Sequence, residues 1–102
     1  MDQEVFLNKI KEQVLKEDEN ASVILFGSRA RGDFRDDSDW DILVLTSKDV
    51  GHQLKRKIRD DIYDVELEYI QAVSTLIYDK DQWESLAITP LYLNVADDGK
   101  LI

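Results

Sequence analysis

Two short apolar runs constrain this chain most: SVILF at residues 22–26 and WDILVL at residues 40–45. SVILF is continuous rather than alternating and is bounded by polar residues, and WDILVL carries the second run, ILVL; both read as buried strands. Both are far too short to cross a bilayer. Between them Gly27 and Gly32 stand among charged side chains, which predicts a helical turn followed by a loop. The first strand therefore delivers Gly27 and Ser28 into a turn, and the second opens on Asp39, Trp40 and Asp41.

Upstream, Phe6, Ile10 and Val14 share one stripe with Leu7 beside it, so an amphipathic helix precedes the first strand. Downstream, Val50, Leu54, Ile58 and Ile62 recur every four residues between Lys48 and Tyr63, which predicts a second helix. DVELEYI, residues 64–70, then alternates, with Asp64, Glu66 and Glu68 on one face and Val65, Leu67 and Tyr69 on the other. That period of two predicts a third strand with a carboxylate-lined face. After Ser74 the pattern turns helical around DKDQWESLA, and Thr89 with Pro90 forms an N-cap and N1 pair for a short helix, PLYLNV. Gly99 closes that helix, and KLI fits a last edge strand. Residues 1–102 read as one domain with room for a single modest core.

The charge balance narrows the function. Twenty-two acidic against 13 basic side chains give a formal net charge of −9, which repels a polyanion and argues against a dedicated DNA or RNA binder. The same balance suits divalent cations or a basic partner. Cysteine is absent, so disulfides and thiolate zinc sites are excluded. The N-terminus, MDQEVFLNKIKEQ, has no apolar stretch with basic flanks; the reading is no signal peptide, no membrane segment and a cytoplasmic location.

The chemistry concentrates in residues 27–41. A glycine lets phosphate oxygens approach backbone N–H groups, and the Ser28 hydroxyl adds a donor. Arg29 and Arg31 either contribute charge to a bound phosphate or pair with Asp33, Asp36 and Asp37. Asp39 and Asp41, two apart, project from one face while Trp40 points to the other. Two such carboxylates repel unless a cation or proton lies between them, and hard oxygen ligands suit Mg²⁺ completed by phosphates. The third strand offers Asp64, Glu66 or Glu68, of which Glu66 best fits an apolar-acid-apolar pattern. His52, the only histidine, and the basic cluster KRKIR read as solvated helix face, and Trp40 and Trp83 read as core.

GSRARGDFRDDSDWDIL resembles the signature of the DNA polymerase β-like nucleotidyltransferase superfamily: Gly27-Ser28, ten residues, then Asp39-x-Asp41. The short chain, the GSRARG form and the ending TPLYLNVADDGKLI are similar to the minimal nucleotidyltransferases, the MNT antitoxins encoded beside a HEPN-domain toxin. This resemblance implies an α/β (α+β) polymerase β-like nucleotidyltransferase fold, a small mixed sheet with helices packed mainly on one side. It implies transfer of AMP from ATP to a hydroxyl, a tyrosine of the cognate HEPN toxin, with two Mg²⁺ ions. Carried over by position, Gly27 and Ser28 hold the triphosphate, with Arg29 and Arg31 beside them. Asp39, Asp41 and Glu66 are then the catalytic and metal-ligating carboxylates.

Two other readings use the same residues. A non-catalytic antitoxin would neutralise its partner by occlusion. A small-molecule transferase, as in the aminoglycoside nucleotidyltransferases, needs an acceptor-binding region that 102 residues leave to a homo- or hetero-oligomeric partner.

Overall fold

The computed structural model describes residues 1–47, 49 and 51–102. Lys48 and Val50, assigned above to the start of the second helix and its apolar stripe, lie outside the described residues. Helix α1 (Gln3–Glu17) starts at Asp2, whose side chain accepts from the N–H groups of Glu4 and Val5. Its Phe6, Ile10 and Val14 are fully buried, as their spacing predicts. Strands β1 (Ser22–Phe26) and β2 (Trp40–Thr46) occupy the two apolar runs and pair antiparallel, from Ser22 with Leu45 to Phe26 with Asp41. Between them α2 (Ser28–Arg31) is one helical turn ended by Gly32 in the left-handed region.

The third strand is not where the alternation put it. Helix α3 (His52–Tyr69) runs straight through residues 64–69, and β3 is Val73–Asp79. DVELEY satisfies both periods, and a helix already nucleated upstream continues until something stops it. Here the stop is Ile70, which caps α3 in the left-handed conformation at φ 54° and ψ 51°. Inward-facing residues then follow helical spacing, Ile58, Ile62 and Val65, while Leu67 is left 61% exposed. Helix α4 (Lys80–Glu84) carries a capping box between Asp79 and Gln82. Helix α5 (Pro90–Asp98) begins at the Thr89 cap, and β4 (Lys100–Leu101) comes directly after Gly99.

The four strands lie in the order β3-β2-β1-β4, with β2–β3 parallel and the other pairs antiparallel, a mixed sheet. Its two faces are built differently. The long helices α1 and α3 cover one face, where Trp40, Ile42, Val44 and Ile77 pack with Phe6, Ile10, Ile58 and Ile62. On the other face Leu43 packs with Trp83 and Val95 of the short helices α4 and α5. Asp61, on the α1–α3 side, is flanked by Lys16 at 3.8 Å and Lys57 at 3.7 Å, which ties those helices together. Among the described residues no helix is long and apolar enough to cross a membrane.

Candidate active site

The strand pairing brings the small-residue corner and the acid pair together. Phe26 is opposite Asp41, so Gly27 is the next residue out of β1 beside that aspartate. Gly27 has φ 73° and ψ −158°, a region essentially confined to glycine. A Cβ there would overlap Asp41 Oδ2 and come within 3.0 Å of Asp41 Cγ. The missing side chain is thus where the Asp41 carboxylate lies. The Gly27 carbonyl accepts from the N–H groups of Ala30 and Arg31, and the start of α2 leaves the Ser28 and Arg29 N–H groups without an intrahelical acceptor. A helix of one turn adds little macrodipole, so any anion preference here rests on those N–H groups.

Asp39 is exposed and Asp41 half-buried. Burial, first, and then the neighbouring Asp39 charge push the Asp41 carboxyl above its ordinary range; Arg31 pulls the other way, and Asp98 adds to the rise. An acid pair held in this state gains from a cation. Trp40, between the two aspartates, is buried on the opposite face, where its Nε1 donates to Gln71 Oε1 at 2.9 Å and its backbone N–H to the Ala72 carbonyl. These bonds anchor the start of β2.

The two arginines diverge. Arg29 lies between two rings, its guanidinium carbon 4.3 Å from the centroid of Phe34 and 4.4 Å from that of Trp40. It also donates to the carbonyls of Ser38, at 2.9 and 3.2 Å, and Asp36, at 3.2 Å. Those contacts staple the loop before Asp39, a pairing within the loop that the sequence offered as the other reading of Arg29. Arg31 is half-exposed and reaches Asp33 Oδ2 at 3.3 Å and Asp98 Oδ2 at 2.9 Å. It is one of the groups acting on Asp41.

Glu66 does not join the acid pair. It lies on α3, near Arg59, Tyr63, Val73 and Thr75, on the side of the sheet that carries Trp40 and Ile42. Asp41 faces the other way, so the sheet stands between them. Asp64 and Glu68 are exposed on the same helix. The position of the third strand that does pair with Asp41, and so shares its face, is Ser74. Among the described residues no three His, Cys, Asp or Glu side chains are grouped to hold a metal ion.

The nucleotidyltransferase domain family matches residues 7–93. This chain belongs to that family. A Methanocaldococcus jannaschii protein named as a putative protein adenylyltransferase is 41% identical over 58 residues, which cover 57% of this chain and 59% of that relative. The chain therefore aligns with less than two thirds of the relative's length. A crystal structure of a toxin–antitoxin with AMP-PNP superposes with a TM-score of 0.66 at 23% identity, covering 92% of this chain and 69% of the other. The tri-AMPylated Shewanella oneidensis HEPN toxin in complex with MNT antitoxin gives a TM-score of 0.61 at 18% identity over 98% of this chain and 71% of its counterpart. These likenesses show the fold.

In this nucleotidyltransferase domain local sequence pattern misses two positions. Ser74 is hidden because the alternation places the third strand too early in the chain. Asp98 meets Arg31 across 67 residues of chain, and no local pattern marks it. The basic cluster proves partly structural: Arg59 donates to the Thr75 carbonyl at 2.9 Å, and Lys57 lies beside Asp61.

Proposed function

We propose that residues 1–102 form one minimal nucleotidyltransferase domain that transfers AMP from ATP to a hydroxyl, a tyrosine of a HEPN-domain toxin, in the cytoplasm. The observation that carries this reading is the seating of the Asp41 carboxylate on the bare Cα of Gly27. It puts a cation-seeking oxygen beside the corner whose N–H groups suit phosphate.

The donor set fits one magnesium ion. Mg²⁺ takes one or two carboxylates and completes its shell with water and phosphate oxygens, which matches Asp39 and Asp41 with a nucleotide between them. A second ion would need a further acid, and Ser74 stands where one would face the site. The bound ion would supply charge neutralisation to the triphosphate and lower the pKa of the incoming hydroxyl. Gly27 and Ser28 would hold phosphate oxygens through N–H and hydroxyl donors. Arg31 would add positive charge at the same end. In the transfer the hydroxyl oxygen bonds to the α-phosphorus, the bond to the bridging oxygen breaks, pyrophosphate leaves and the hydroxyl proton is released. The protein's share of this chemistry is positioning and electrostatic stabilisation.

Incubation with labelled ATP, Mg²⁺ and the protein of the adjacent gene tests the reading. Label on that partner, lost in Asp39→Ala/Asp41→Ala, is the expected result; an unlabelled partner overturns it. That no third acid is grouped with Asp39 and Asp41 to hold a metal ion, among the described residues, favours one alternative, neutralisation by occlusion without transfer. In that case the double substitution leaves neutralisation intact.

A further inference from the structure

Asp98 is the last residue of α5, and its place in the fold is set by the strand immediately after it. Gly99 packs against Ile24 and donates to the Val95 carbonyl, and β4 pairs Lys100 with Leu25 and Leu101 with Ile24. Asp98 lies just ahead of that pairing, and its charge is among those acting on Asp41. The side chain is only 14% exposed, and its Oδ1 is buried with no hydrogen-bond partner among the described residues. Its Oδ2 accepts from Arg31 Nη1 at 2.9 Å. An acid so buried is a poor candidate for a solvated surface charge, and Arg31 is the cation that compensates it. Arg31 in turn lies four residues beyond the glycine corner and is otherwise half-exposed.

We infer that Asp98 is a positioning residue that fixes the Arg31 guanidinium beside Gly27 and Asp41, so that the C-terminal helix completes the phosphate side of the site. The inference rests on the nucleotide-binding reading above. A free arginine on this surface would have to be ordered each time a triphosphate bound, whereas one held by a charge-assisted hydrogen bond is already in place. Asp33 alone, exposed and 3.3 Å from Nε, gives a looser hold.

The test measures the Kd of ATP with Mg²⁺ by equilibrium dialysis and, in nucleotide-free protein, the ¹⁵N relaxation of the Arg31 Nε–H group. Asp98→Asn is expected to weaken ATP about tenfold, Asp98→Glu to recover to within about threefold of the parent, and Asp98→Asn to add nothing in an Arg31→Gln background. The Arg31 Nε–H should be ordered in the parent and in Asp98→Glu and mobile in Asp98→Asn. An equally ordered Arg31 in Asp98→Asn overturns the inference, as does an undiminished effect of Asp98→Asn when Arg31 is already glutamine. If the parent binds no ATP, the nucleotide reading falls instead, and the relaxation data still decide whether Asp98 fixes Arg31.

Discussion

Replacing Gly27 with alanine separates two demands that the structure makes on one atom position. The backbone at φ 73° and ψ −158° disfavours any L side chain, at a cost of about 2 kcal/mol for a non-glycine residue held there. The new methyl would also overlap the Asp41 carboxylate, whose displacement from a staggered rotamer costs about 1 kcal/mol more. Together they predict a loss of about 3 kcal/mol, or roughly 12–24 °C in Tm for a domain of this size. The same substitution in an Asp41→Ala background keeps the backbone strain but meets only the Cβ of residue 41, 3.3 Å away. There the loss should fall to about 2 kcal/mol, a coupling of about 1 kcal/mol between the two sites. Urea denaturation of the four proteins measures the cycle. Equal losses in both backgrounds would refute the seating of Asp41 on Gly27, and no loss in either would refute the backbone conformation.

Other perturbations probe the charges and the loop. Because the Asp41 carboxyl is held above its ordinary range, this group holds its proton more tightly in the native metal-free protein than in the unfolded chain, and the stability it contributes declines as pH rises above about 4. Asp41→Asn should therefore melt higher than the parent at pH 7 in EDTA, with the gap closing below about pH 4; a gap that widens on acidification contradicts the sign. Arg29→Lys keeps the charge but loses the planar contact with Phe34 and Trp40 and the paired bonds to Ser38, so stability should drop by about 1–2 kcal/mol in urea. Glu66→Gln should leave Mn²⁺ affinity in the presence of ATP within about twofold, while Ser74→Asp, adding an acid on the Asp41 face, should tighten it.

Much of this molecule is legible from local pattern. SVILF and WDILVL are strands because continuous apolar runs of that length have few other solutions, and counting from them places the glycine corner and its acid pair. Helix α5 is legible through Thr89 and Pro90, since caps act on neighbouring residues. The features that escape local pattern are non-local. DVELEY alternates, yet only the helix behind it decides its conformation, and with β3 displaced Glu66 falls on the far side of the sheet. The clasp on Arg29 is hidden in sequence because its two ring partners, Phe34 and Trp40, are brought over it only by the folded loop. Asp98 becomes visible through its bond with Arg31, a contact across 67 residues that no single stretch encodes.

The stapled arginine has a consequence for how the acid pair meets a ligand. With its guanidinium clasped by an indole and a phenyl ring and bonded to the carbonyl just upstream of Asp39, the approach to the second strand is shaped as the chain folds. A ligand arriving there meets a strand entrance already shaped, and the loop that leads into it has little left to rearrange.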